Sequence, residues 1–188
     1  MKVNKNRQTI RLRGYDYAQN GWYFITICVE NFDEILGHIS QQGSFVPNEL
    51  SKIVESTWIR TPIVRSNVEI DLFQIMPNHF HAIVVIGSKG VMPDIVGFPN
   101  TDSPPAIFKS PVGTVGAIVR GFKGVSTKEM RIVTKNEAEK IWQTNYYERI
   151  IRDEDELKRI RRYIKNNPFK WQEDKEFFKK LLKKMKKK

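Results

Sequence analysis

The chain has 188 residues, of which 40% are hydrophobic and 28% are charged, values that fit one globular domain with extensions. Its single cysteine, Cys28, excludes an internal disulfide framework. No apolar run approaches the roughly 18 residues needed to span a bilayer, and the first residues lack the apolar stretch of a signal peptide. We therefore expect a cytoplasmic protein that does not enter a membrane.

The formal net charge of +11 favours a polyanionic partner, with nucleic acid as the first candidate. Much of the excess lies in residues 175–188, which carry eight lysines and one acid, Glu176. Residues 172–188 are predicted to form a basic amphipathic tail. Charge alone leaves two interpretations of this tail open besides DNA binding: a solvated arm, or an anchor at a membrane surface.

Hydrophobic patterning predicts two strands and a helix in the first third of the chain. Residues 22–29 are aromatic and β-branched, which indicates a strand buried on both faces, and residues 35–39 are predicted to pair with it as a hairpin. Residues 48–60 carry apolar side chains at helical spacing, with Asn48 as the predicted N-cap.

Two further strands are predicted at residues 68–76 and 79–86, joined by a tight Pro77-Asn78 connection. Residues 87–111 hold five of the nine prolines and are predicted to be a mobile loop insertion. A basic amphipathic helix is predicted at residues 112–130.

A last helix, at residues 154–167, should open on a capping box at Asp153 and end before Pro168. This order of elements predicts an α+β fold, with helices packed on an antiparallel sheet. We predict a single domain at residues 1–171.

His79 and His81 stand two residues apart on a predicted strand, so both imidazoles project from one face and can converge on one cation. Phe80 would then point into the opposite layer. Two hydrogen-bonded strand histidines with no ligand are the alternative. His38 is a weak candidate for a third ligand, since an exposed histidine at a sheet edge explains it as well.

The predicted last helix offers a better complement to the histidines. Tyr163 and Asn167 are four residues apart, which places a phenol and an amide on one helix face. A tyrosine at the margin of the buried face and a helix-ending asparagine are the structural alternatives. Tyr146 and Tyr147 compete as nucleophiles, but neither has an amide four residues further on.

An ordered set of short motifs between about Leu12 and Trp171 resembles the REP-associated tyrosine transposases and related single-tyrosine HUH transposases. The motifs are Gly14-Tyr15-Asp16-Tyr17, Met76-Pro77-Asn78-His79-Phe80-His81, Arg120-Gly121-Phe122-Lys123, Trp142-Gln143, Tyr146-Tyr147, Ile151-Arg152 and Tyr163-Ile164-x-x-Asn167-Pro168. Each motif is weak alone, and the ordered set is specific. The resemblance implies a ferredoxin-like α+β fold and action on single-stranded DNA near hairpin-forming repeats.

The resemblance also implies the roles of the site residues. His79, His81 and Asn167 would hold the metal, with Mg²⁺ or Mn²⁺ expected, and Tyr163 would attack the phosphodiester to give a 5′-phosphotyrosine and a free 3′-hydroxyl. One tyrosine then serves both cleavage and rejoining.

Unpaired DNA needs basic or aromatic side chains to hold it. The candidates are Arg11, Arg13, Arg120 and Lys123, and for each one a solvated surface charge is an equal interpretation. Two other functions stay open: a domesticated protein that binds hairpins without cutting, and a replication nickase, for which 188 residues leave little room. The sequence leaves the oligomeric state, including a homodimer, undecided.

Overall fold

The computed structural model describes residues 20–87, 113–138 and 140–176. Several predictions lie outside these residues: the loop insertion from residue 88 onward, the tail from residue 177 onward, and the proposed DNA contacts Arg11 and Arg13. Within the described ranges, no helix is long and apolar enough to cross a membrane.

The described strands and helices follow one another in an α+β order. The strands are β1 (Gly21–Cys28), β2 (Gly37–Ile39), β3 (Phe45–Pro47), β4 (Val68–Met76), β5 (His79–Ile86) and β6 (Tyr147–Ile151). The α-helices are α1 (Glu49–Ile59), α2 (Thr61–Val64), α3 (Val115–Thr134) and α4 (Glu154–Asn166). Short 3-10 helices span Glu30–Phe32 and Pro168–Lys170.

The central sheet has four antiparallel strands in the order β4-β5-β1-β6. Along the chain, its elements alternate as β1, α1, β4, β5, α3 and β6, which is the β-α-β-β-α-β arrangement of ferredoxin-like folds. The predicted fold class is confirmed. The bounds of β4 and β5 coincide with those predicted, because both strands are long and bounded by turn residues.

The predicted pairing of residues 35–39 with β1 is wrong. Both edges of β1 are occupied, by β5 on one side and β6 on the other. The chain turns away after β1 through a 3-10 helix in which Asn31 and Phe32 have positive φ angles. Residues 37–39 instead form a separate two-stranded sheet with β3.

Strand β6 was not predicted from the sequence. Glu148 and Arg149 obscure the alternation of the strand. The buried Glu148 is tolerated because its carboxylate accepts a hydrogen bond from the Tyr146 hydroxyl at 2.7 Å. Arg149 pairs with Glu156 of α4, which joins this edge of the sheet to the helix.

The two faces of the sheet carry different layers. Helices α1 and α3 cover the face from which Phe80 projects, and its ring packs against Trp58 and Phe122 with centroids 5.1 and 5.4 Å away. Helix α4 covers the opposite face, where Leu157 and Ile164 pack with Phe24. Successive strand residues alternate between the faces, so the histidines of β5 lie on the side of α4.

The helix ends follow their capping residues. Asn48 is the N-cap of α1, as predicted, and it also forms a full capping box with Ser51. At α4, the Asp153 carboxylate accepts from the Glu156 amide at 2.6 Å, whereas Glu156 accepts from the amide of Arg152 and not of Asp153. The predicted box is therefore only half formed. Helix α3 runs to Thr134, about one turn beyond its predicted end.

Candidate metal and tyrosine site

The histidine pair lies at the start of β5, directly after the turn from β4. His79 and His81 are 0% and 3% exposed, and their Nε2 atoms are 3.0 Å apart. The sheet brings the two imidazoles together, because both residues project from one face of β5 and β5 is hydrogen-bonded to a strand on each side. The predicted shared face of the two imidazoles is therefore present.

Hydrogen bonds to the outer ring nitrogens orient both imidazoles. The Nδ1 of His79 donates to Oδ1 of the buried Asn78 at 2.7 Å, and Asn78 in turn donates its Nδ2 to the Phe32 carbonyl at 3.2 Å. The Nε2 of His79 therefore carries a lone pair. At 3.0 Å, the Nε2 of His81 must donate its proton to that lone pair.

The Thr26 hydroxyl lies 2.8 Å from Nδ1 of His81 and completes this network. In the arrangement above, the hydroxyl donates to Nδ1. A cation bound by both Nε2 atoms requires the other His81 tautomer, in which Nδ1 donates to the hydroxyl instead. Because a hydroxyl can donate or accept, Thr26 supports both tautomers.

Burial keeps both histidines uncharged. It lowers the pKa of His79 to about 3, an effect that the neighbouring Asn167 side chain partly opposes. Burial also lowers the pKa of His81 well below its usual value, with a smaller contribution from His79. Neutral imidazoles are the form that binds metals, so cation binding at neutral pH would shift the His81 proton from Nε2 to Nδ1 but release no net proton from the two rings.

Helix α4 brings Tyr163 and Asn167 to the histidines. Tyr163 is 44% exposed, and its hydroxyl lies 3.3 Å from Nε2 of His81. Burial of part of the side chain raises the pKa of Tyr163 to about 12, with a further contribution from Asp174, while Asn167 lowers it. The tyrosine is thus a neutral phenol that reaches both the histidine pair and solvent.

Asn167 ends the helix and is 1% exposed. Its Nδ2 donates to the Asp174 carboxylate at 2.9 Å. Its buried Oδ1 accepts no hydrogen bond among the described residues. An unpartnered buried amide oxygen costs about 1–3 kcal/mol, so this oxygen is poised for a ligand. The structure thus brings together all four residues of the predicted site.

Two imidazole nitrogens and one amide oxygen are a donor set that suits a divalent metal cation. The two Nε2 atoms face each other at 3.0 Å, so both would hold one cation once His81 takes the tautomer that frees its Nε2. The free Oδ1 of Asn167 supplies a third donor. Within the described residues no cluster of three His, Cys, Asp or Glu occurs, and burial raises the pKa of Cys28 to about 12, which disfavours a thiolate ligand.

Aromatic rings border the site on the β1 and β6 side. The Phe24 ring lies 5.4 Å from that of His81 and 6.1 Å from that of Tyr163. On its other side, the 38% exposed Tyr147 lies 6.2 Å away. Tyr146 bonds to Glu148 and packs with the α1–α3 layer. His38 is exposed on β2, outside the site.

The proposed DNA contacts Arg120 and Lys123 do not join these residues. Both belong to α3, which covers the opposite face of the sheet. The Lys123 ammonium donates to the carbonyls of Gln143 and Asn145, at 2.7 and 3.0 Å, and burial lowers its pKa to about 8. These bonds hold the segment that leads into β6, and a DNA contact for either residue stays a prediction.

Four basic residues that were not predicted from the sequence form a ridge on α4: Lys158, Arg161, Arg162 and Lys165. Together with Asn166, they line a surface cleft of about 330 Å³. Arg161 is held by Asp71, to which its Nε donates at 2.9 Å. The spacing i, i+3, i+4, i+7 could have revealed the ridge, since it defines one face of a helix. Thr26 and Asp174 had no comparable signal.

The fold and the site define a ferredoxin-like α+β protein with a histidine pair, an amide and a tyrosine at one face of its sheet. No family model matches the chain. A protein of Haemophilus influenzae, described as uncharacterized, is 40% identical over 171 residues, which cover 90% of this chain and 92% of the relative. The chain belongs to the same family as this Haemophilus influenzae protein.

A solved structure of a REP-associated tyrosine transposase bound to a REP hairpin has the same fold. The TM-score is 0.55 with 20% sequence identity, over 86% of this chain and 74% of that chain. At this identity the likeness shows the shared fold alone.

Proposed function

We propose that this protein is a metal-dependent enzyme that cuts and rejoins single-stranded DNA at hairpin-forming repeats, through a covalent bond between Tyr163 and DNA. One observation carries the proposal. The hydroxyl of Tyr163, a residue that is 44% exposed, lies 3.3 Å from one of two buried, neutral histidines whose Nε2 atoms are 3.0 Å apart. Beside them an amide oxygen of Asn167 is buried without a partner.

In the proposed cleavage, Oη of Tyr163 attacks a backbone phosphorus. The Oη–P bond forms while the P–O3′ bond breaks, the phenolic proton leaves Tyr163, and the 3′-oxygen takes up a proton to become a free hydroxyl. The phosphodiester between Tyr163 and the 5′ end of the DNA thus replaces the DNA phosphodiester that is broken. Attack by a 3′-hydroxyl on this intermediate therefore rejoins DNA without a nucleotide cofactor.

The phenol of Tyr163 is protonated and a poor nucleophile at neutral pH, because its pKa is raised to about 12. His79, His81 and Asn167 would hold a divalent cation, for which we propose Mg²⁺ or Mn²⁺, and that cation would supply positive charge and Lewis acidity beside the phenol and the phosphate. The protein contributes the positioning. Hydrogen bonds with Asn78 and Thr26 orient the imidazole rings of His79 and His81, and α4 positions the Tyr163 hydroxyl beside them.

Several features support DNA as the substrate. The net charge is +11, and the REP-associated tyrosine transposase of the same fold is bound to a REP hairpin. We assign the basic ridge of α4 to phosphate contacts, since it lies on the helix that carries Tyr163. Tyr147, exposed beside the site, offers a ring for base stacking.

The test uses hairpin-forming oligonucleotides from the genomic flanks of the gene, labelled at the 3′ end and incubated with Mn²⁺. Because the 3′-side fragment stays on the tyrosine, a labelled band should appear at the mass of the protein–DNA adduct on a denaturing gel. Tyr163→Phe should abolish the adduct, and Tyr147→Phe is the matched control that should keep it. An adduct formed by Tyr163→Phe would refute the assignment. Binding without any adduct would favour the non-catalytic hairpin-binding alternative.

A further inference from the structure

Asp174 lies at the candidate site although its position in the sequence does not suggest it. After the 3-10 helix at Pro168–Lys170, the chain resumes a helical course through residues 171–176. Trp171 anchors this segment, because it is 4% exposed and its ring centroid lies 6.3 Å from that of His79. The segment thereby places the Asp174 carboxylate 2.9 Å from Nδ2 of Asn167.

This bond decides which way the Asn167 amide points. A side-chain amide has a donating and an accepting end of nearly equal size, and rotation by half a turn exchanges them. An ionised carboxylate can only accept, so it pairs with Nδ2 and repels Oδ1. The orientation that satisfies Asp174 therefore leaves Oδ1 free, and this oxygen is the buried atom without a partner.

We propose that Asp174 is a positioning residue that holds the amide oxygen of Asn167 toward the cation bound by His79 and His81. The inference rests on the cation site of the proposed function, and it does not require DNA cleavage. Asp174 acts on the cation through Asn167. Without it, either end of the amide could face the cation, and the nitrogen end cannot bind a metal.

The experiment titrates the purified full-length protein with Mn²⁺ alone and follows free Mn²⁺ by its electron paramagnetic resonance signal. Asp174→Asn is nearly isosteric, but its amide can pair with either end of Asn167. We expect Mn²⁺ affinity to fall about 10–100-fold, the range typical of residues that orient metal ligands. Asp174→Ala, a second variant that removes the partner altogether, should weaken binding at least as much.

The matched control is Glu173→Gln, which removes one negative charge from the neighbouring, exposed position. Its Mn²⁺ affinity should stay within about threefold of the wild-type value, since screened surface charges act weakly. Thermal unfolding of each variant verifies that the fold is intact. Equal losses in Glu173→Gln and Asp174→Asn would overturn the proposal, because they would indicate a general effect of charge.

A double-mutant cycle separates positioning from direct ligation. In an Asn167→Ala background, Asp174→Asn should have no further effect on Mn²⁺ affinity, because the residue through which it acts is gone. An undiminished effect there would mean that Asp174 binds the cation itself, and the proposal would be wrong. A wild-type protein that binds no Mn²⁺ would also overturn it.

The Mn²⁺ titration and the DNA-adduct assay test the positioning role of Asp174 and the cleavage function separately. If Mn²⁺ binds and Asp174→Asn weakens it while no DNA adduct forms, the positioning role stands and the cleavage function fails. If adducts form but Asp174→Asn leaves Mn²⁺ affinity unchanged, only the positioning role fails.

Discussion

Replacing Thr26 with valine tests the hydrogen-bond network around His81 with a change of one atom. The Thr26 hydroxyl lies 2.8 Å from Nδ1 of His81, a residue that is 3% exposed. Valine keeps the shape and the strand preference but leaves that nitrogen without a partner. An unsatisfied buried polar atom costs about 1–3 kcal/mol, so the free energy of unfolding should fall by about this amount.

Thr57 provides a matched control. It is a buried threonine whose Oγ1 has no hydrogen-bond partner among the described residues. Thr57→Val should therefore be neutral or stabilising, because it removes a buried hydroxyl that is not satisfied. The two variants make the same chemical change, and only one of them breaks a bond.

Urea unfolding at neutral pH measures both variants, and the Mn²⁺ titration measures the cation site. Thr26→Val should also weaken Mn²⁺ binding about 10–100-fold, since it removes the oxygen that orients the His81 ring and accepts the Nδ1 proton when Nε2 is free to bind a cation. Thr57→Val should leave Mn²⁺ affinity unchanged. A stable Thr26→Val protein with wild-type Mn²⁺ affinity would refute the role assigned to this bond.

Three other predictions concern stability and DNA binding. Because the pKa of His79 is lowered to about 3 from a usual 6.5, His79 is protonated in the unfolded state but not in the folded state between these two pH values. As pH falls below 6.5, the free energy of unfolding without metal should drop by up to about 1.4 kcal/mol per pH unit; an equal slope in His79→Gln by urea unfolding would contradict this. Phe80→Ala should cost about 3–5 kcal/mol in the same assay, since the ring is fully buried. Arg162→Ser with Lys165→Ser should weaken single-stranded DNA binding and lower its salt slope by about 1–2, with Lys128→Ser on the opposite layer as an unaffected control.

Patterns within single elements predicted a large part of the fold. The bounds of β4 and β5 were predicted correctly, and α1 was predicted with its cap, because dense apolar runs and capping residues act over a few neighbours. The spacing of Tyr163 and Asn167 likewise follows from the helix period. The contact between these two residues and the histidines joins segments about 80 residues apart in the sequence. Only the resemblance of the ordered motifs to a known family predicted this contact.

The sequence by itself determined the α+β class, the shared face of the two histidines and the shared face of the tyrosine and asparagine, because each depends on a local period. Tertiary structure alone decided which strands pair, that α3 with Lys123 lies opposite the site, and that Thr26 and Asp174 orient the site residues. These outcomes depend on burial and on hydrogen bonds between distant segments, which exist only when the layers pack together.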